Sequence, residues 1–159
     1  MGQVPDWFWE VLDSTRPRLS ALEAWLESQP REVLQGFALA YLDAAESLID
    51  FSEGVLVDGE AWSEDSTEDL CMWAVGQGRL FCHALATGES ELAEAAQAFL
   101  GRASPLSGDV TKWDPEVSDP EHQGYQSPDA IVYGVYRTRF AEDLHERHLD
   151  RSGCVDPGV

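Results

Sequence analysis

The segment Ser63-Glu-Asp-Ser-Thr-Glu-Asp-Leu-Cys-Met-Trp-Ala-Val-Gly-Gln-Gly-Arg-Leu-Phe-Cys-His-Ala-Leu-Ala-Thr87 reads as helix from end to end. Its first residues carry hydroxyl and carboxyl side chains suited to capping the free N–H groups of a helix start. Leu70, Trp73, Ala74, Gln77, Leu80, Phe81, Ala84 and Leu85 then recur at spacings of three and four, which lays them along one face. Gly88 is a suitable stop. One amphipathic helix over 63–87 is therefore the expected centre of the fold.

The flanking sequence reads the same way. Pro5 and Asp6 open a short helix through Trp7, Phe8, Trp9, Val11 and Leu12 that stops before Pro17. Pro17 and Pro30 each suit a helix start, because a missing N–H costs nothing there. The first opens a helix with Leu19, Leu22, Trp25 and Leu26 inward. The second opens a longer one with Val33, Leu34, Phe37, Tyr41, Leu42, Ala45, Leu48 and Ile49 inward. This longer helix is expected to run past Asp50 and Phe51 towards Val57, with a weak point at Gly54. Val55-Leu56-Val57 is alternatively a short strand, and Gly59 ends the segment in either case.

Beyond the centre, Glu89 to Leu100 reads as a helix capped by Ser90, with Leu92, Ala95, Ala96 and Phe99 inward and Gly101 as stop. Residues 102–126 lack periodicity and contain Pro105, Pro115, Pro120, Gly108 and Gly124. A connection of this length is functional or mobile, with Trp113 and Tyr125 as candidate anchors. Ser127-Pro128-Asp129 starts a last helix with Ile131, Val132, Val135, Tyr136 and Phe140 on its apolar side, and Leu144 and Leu149 follow. The expected architecture is all-α: about six helices in one domain over 1–151, a long loop at 102–126, and a loose tail over 152–159.

Charge narrows the function classes. Thirty acidic residues against ten basic give a net charge of −20, and no Lys or Arg falls between Arg31 and Arg79. Direct binding to nucleic-acid phosphates or anionic lipid is not expected of such a chain. No apolar run reaches the roughly 20 residues of a membrane span, and no basic-plus-apolar leader opens the sequence. Three widely spaced cysteines do not form a disulfide framework, so a reducing cytoplasm is the expected location. The acidic surface either keeps the protein soluble or meets a basic partner.

Ser63-Glu64-Asp65, Trp73 and Gln77-Gly78-Arg79 together resemble the signature of the bacterial domain-of-unknown-function family 4240: a Ser-Asp-Asp start, a Trp step and a Gln-Gly-Arg end. Asp50 falls where that family places an Asp upstream of the Ser. Phe8-Trp9-Glu10-Val11-Leu12 looks like its Phe-Trp opening, and Tyr133 and Tyr136 look like its closing aromatic helix. The sequence departs from the pattern at Thr67, where the family has an aromatic, and at Cys71, where it has an Arg. The resemblance implies positions and a helical fold; it supplies no chemistry.

Asp50, Ser63, Asp65, Trp73, Gln77 and Arg79 are thus the candidate ligand-binding residues. On a structural account Ser63 and Asp65 cap a helix, and Arg79 pairs with an acid such as Asp50 to fix helix register. On a functional account Asp50, Asp65, Gln77 and Arg79 line a small polar pocket. Glu142, His145 and His148 diverge around a helix too far to share one metal. Cys71 and Cys82 would stand about 16 Å apart on one straight helix, and Cys82 reads as a small core residue. Gly76-Gln77-Gly78 interrupts a helix rather than opening one, which argues against a phosphate cradle; those glycines instead suit a close approach by another helix. No catalytic residue, metal or cofactor is expected. The leading expectation is a non-catalytic module that presents an acidic surface to a basic protein, as an inhibitor, immunity-type factor or nucleic-acid mimic. A small-ligand sensor or enzyme using the six-residue pocket is the alternative.

Overall fold

A computed structural model describes residues 4–100, 113–116 and 128–144. In chain order the elements are α1 (Asp6–Thr15), α2 (Leu19–Glu27), α3 (Arg31–Glu46), a 3-10 turn (Phe51–Glu53), β1 (Leu56–Val57), β2 (Glu60–Ala61), α4 (Glu64–Gly76), α5 (Arg79–Thr87), α6 (Leu92–Leu100) and α7 (Pro128–Phe140). The fold is all-α apart from one small antiparallel hairpin. Seven helices are present among the described residues, in keeping with the expected six or so, and the expected central helix is two of them.

That break is the main correction to the sequence reading. α4 ends at Gly76, and Gly78 adopts φ +100°, a backbone state that a β-carbon disfavours. Arg79 then starts α5, so the Gly-Gln-Gly step does open a helix. Gly76 has a different reason to lack a side chain. A β-carbon there would press on the Trp113 indole and on Pro128, which is the close approach expected of these glycines.

α4 also buries more than one stripe. Leu70, Trp73 and Ala74 join Val55, Val57, Leu85, Ala95, Ala96 and Phe99 in one apolar cluster. Cys71, Met72 and Val75, on its other side, join Phe8, Leu12, Leu26, Leu34, Phe37, Tyr41 and Val132 in a second. α4 is therefore a wall shared by two cores, and a helix apolar on most of its circumference belongs inside. α3 is buried to the same degree, from Val33 to Ala45, and packs on α4 and α7. The Tyr41 hydroxyl donates to the Met72 carbonyl at 2.6 Å, which ties α3 to α4 in the interior.

Helix boundaries differ from expectation where local hydrogen bonds intervene. α3 stops at Glu46 instead of running towards Val57. Asp50 then accepts from the Ser52 amide (3.0 Å) and hydroxyl (2.7 Å), an arrangement that competes with helix continuation. α2 begins at Leu19, two residues after Pro17. Its first amide is capped from far along the chain, since Leu19 N–H donates to Asp114 Oδ2 at 2.9 Å. α6 begins at Leu92, three residues later than expected, with Ala95, Ala96 and Phe99 buried as its pattern requires. Trp113 anchors its segment as expected, its indole N–H donating to the Gly76 carbonyl at 2.7 Å. Tyr125, Leu149, the Gly101 stop, the rest of the 102–126 connection and the tail lie outside the described residues.

Candidate functional site

Two surfaces carry the polar residues of interest. The first is built on the hairpin. Asp58 and Gly59 both have positive φ, +52° and +82°, as a two-residue turn of this twist requires. Leu56 pairs with Ala61 and Val57 with Glu60. Alternation sends Val57 into the core and leaves Leu56 outside, 65% exposed. The hairpin is seated on α4, because the buried Thr67 hydroxyl accepts the Val55 amide at 3.2 Å. Gly54 is held at φ +69° against the Trp62 carbonyl, which a β-carbon would overlap. Asp50 and Glu53 are exposed just before the hairpin, Asp58 and Glu60 within it, and Glu64 and Asp65 just after it.

Three of the six candidate residues belong to this face, in local structural roles. Asp50 caps the 3-10 turn, and its hydrogen bonds from Ser52 hold its carboxyl below the usual carboxylate range. Ser63 caps α4, accepting the Ser66 amide at 3.2 Å. Asp65 lies exposed in the first turn of α4, where a carboxylate suits the helix dipole. Asp69, one turn further on, is pushed the other way: burial raises its pKa, and Asp65 adds to the rise.

Trp73 is a core residue, in contact with Phe81 and Phe99 at ring-centre distances of 5.7 and 5.5 Å. Its indole N–H is buried without an acceptor among the described residues. Gln77 is the C-cap of α4, half-buried, with Nε2 at 3.5 Å from the Trp73 carbonyl. Arg79 pairs with Asp6 at 2.7 Å rather than with Asp50, and its side chain is 52% exposed rather than buried. Of the six, Gln77 is hydrogen-bonded to the Trp73 carbonyl, and Arg79 lines a cleft.

The second surface is that cleft, about 180 Å³, between α1 and α5. Val4, Asp6 and Trp9 line it from the N-terminal side of the sequence, Arg79, Cys82, His83 and Ala86 from α5, and Ser47, just after α3, also lines it. The walls are clamped by two carboxylates of α1. Asp13 accepts the Arg79 amide at 3.2 Å and so caps α5, while Asp6 takes the Arg79 guanidinium. The missing β-carbon of Gly78 leaves room for the Asp13 carboxylate beside it. The anion position at the start of α5 is thus filled by the protein's own carboxylate.

Cys82 is a buried core residue as expected. Burial pushes both Cys71 and Cys82 up to about 12, so neither is a ready nucleophile. Cys82 contributes to the rise at Cys71. Among the described residues no group of three or more His, Cys, Asp or Glu side chains could hold a metal. Glu142 instead pairs with Arg31 at 2.9 Å, and His145 and His148 lie outside the described residues. Among the described residues no helix is long and apolar enough to cross a membrane.

Sequence reasoning missed Asp6 and Asp13 as partners of Arg79, Asp114 as the cap of α2, and the hairpin turn. A signal existed for the last of these, since the Asp58-Gly59 pair following the apolar run Val55-Leu56-Val57 is a hairpin mark. The carboxylates had none, being three among thirty acidic residues. The chain matches no family model, no curated protein and no solved structure.

Proposed function

We propose that this chain is a bacterial, cytoplasmic, non-catalytic binding module that presents its hairpin face to a basic protein partner. An inhibitor, immunity-type factor or nucleic-acid mimic would work in this way. The observation that supports it most is Leu56. This leucine stands 65% exposed among carboxylates, on a stretch with no Lys or Arg from Glu32 to Gly78. An apolar anchor inside a one-sign field is the arrangement that combines steering with a desolvated contact. Solubility alone would not call for the leucine. The resemblance to family 4240 belongs to the same proposal and adds no activity to it.

The test is capture from bacterial lysate on immobilised chain, with Leu56→Asp as the matched control. A basic protein should be retained at low salt, released at high salt, and lost with the variant. Retention that ignores both salt and the variant would overturn the reading.

A further inference from the structure

The cleft between α1 and α5 places charges of both signs beside apolar side chains. Asp6 and Arg79 touch at 2.7 Å on its rim, and their side chains are 73% and 52% exposed. An ion pair so open to water is weak and exchanges partners at little cost. Behind it lies an apolar wall of Trp9, Val4 and Ala86, and His83 lies one turn beyond Arg79 on the same helix. The volume, about 180 Å³, compares with the roughly 150 Å³ cavity that holds benzene. That room suits a small apolar group with polar ends projecting to the rim.

We infer that this cleft binds a small zwitterion of the α-amino-acid class with an apolar side chain. The ammonium would face Asp6, the carboxylate would face Arg79, and the side chain would lie on Trp9 and Ala86. The argument for this class is the contact between the two protein charges. Groups of opposite sign that replace such a contact must be close neighbours in the ligand, and a single carbon separates them in an α-amino acid. A simple anion is disfavoured by Asp6 and by the net charge of −20. A simple cation would leave Arg79 without its partner. This site is separate from the hairpin face, and neither reading depends on the other.

Equilibrium dialysis of the full chain against L-leucine tests it, with three comparators. 3-Methylbutylamine lacks the carboxylate, 4-methylpentanoate lacks the ammonium, and glycine lacks the apolar group. L-leucine should bind, and each comparator should bind at least about tenfold more weakly, the loss expected for one charge-assisted contact or one buried apolar side chain. Asp6→Asn should weaken L-leucine to the level of 4-methylpentanoate. Ala86→Phe keeps both charges, fills the cleft from an exposed position and should abolish binding, with circular dichroism confirming that each variant is folded. Absence of binding by L-leucine, L-valine and L-methionine alike would overturn the inference. So would equal binding of either single-charge comparator, or binding that survives Ala86→Phe.

Discussion

On the hairpin side, carboxylates stand along a stretch that contains no Lys or Arg, while at the α1–α5 cleft two carboxylates each meet a donor of Arg79. The difference shows what neutralises charge in a chain this acidic. Where a cation arrives from distant sequence, carboxylates become clamps between helices. Where none arrives, they are served by hydroxyls and amides, as Ser52 serves Asp50, or they face water.

The two regions also use glycine differently, which gives the largest test of the contrast. Gly54→Ala forces a β-carbon onto a fixed backbone carbonyl at φ +69° and should cost about 3 kcal/mol in denaturant unfolding. At Gly78 the obstacle is the tip of the Asp13 side chain, which can rotate away. Gly78→Ala should therefore cost less, about 2 kcal/mol, made up of backbone strain and a weakened cap. A reversed order would mean that the clamp, not the hairpin, is the stiffer region.

Within the clamp, the backbone cap should outweigh the ion pair. Asp13→Ala is expected to lower stability by about 1 kcal/mol. Asp6→Ala or Arg79→Ala should cost under about 0.5 kcal/mol, because the pair is open to solvent. Urea midpoints of the three variants would sort them, and equal losses would erase the distinction.

The acidic face contains two carboxylates whose pH responses oppose one another. Hydrogen bonds from Ser52 lower the Asp50 pKa on folding. Asp50 thus stabilises the fold above the ordinary carboxylate pKa of about 3.9, and that contribution is lost as pH falls through the lowered value. Burial raises Asp69, so the fold suffers as pH rises past about 3.9, and the whole penalty is present above the raised value. Asp69→Asn should raise the unfolding midpoint at neutral pH, and Asp50→Asn should lower it. The Asp69 difference should vanish in melts run below about pH 3.9, and the Asp50 difference only below its lowered folded-state value.

The smallest expected effect is general. Added salt should raise the thermal midpoint of the parent chain by screening the repulsion among its carboxylates.

Much of the fold was legible in the sequence, and the reasons are local. α1 starts at Asp6 after Pro5 and α3 at Arg31 after Pro30, as the prolines require, and α7 buries Val132, Val135 and Tyr136 on the expected side. The break in the central helix was less legible, because Leu80, Phe81 and Leu85 continue the period of α4 across it. In the structure Leu80 is exposed, and Phe81 and Leu85 reach the cluster of Leu70, Trp73 and Ala74 from a new helix. Periodicity reports which residues seek burial; it does not report that the axis has turned. The candidate site was the least legible part. Asp50 and Ser63 carry cap chemistry readable at short range, whereas the partner of Arg79 lies 73 residues away at Asp6, and carboxylates this abundant give no pattern by which to choose one.

The bond from Leu19 to Asp114 spans 95 residues, and α2 packs mainly on α7. A ribosome makes this chain from its N-terminus. The second helix thus emerges well before its cap and its packing surface. Until then Leu22 and Leu26 have only the neighbouring helices to cover them. The N-terminal third is consequently the segment that waits, exposed to chaperones and proteases during synthesis. A release of the nascent chain before residue 114 would leave it unfinished, however complete its own sequence.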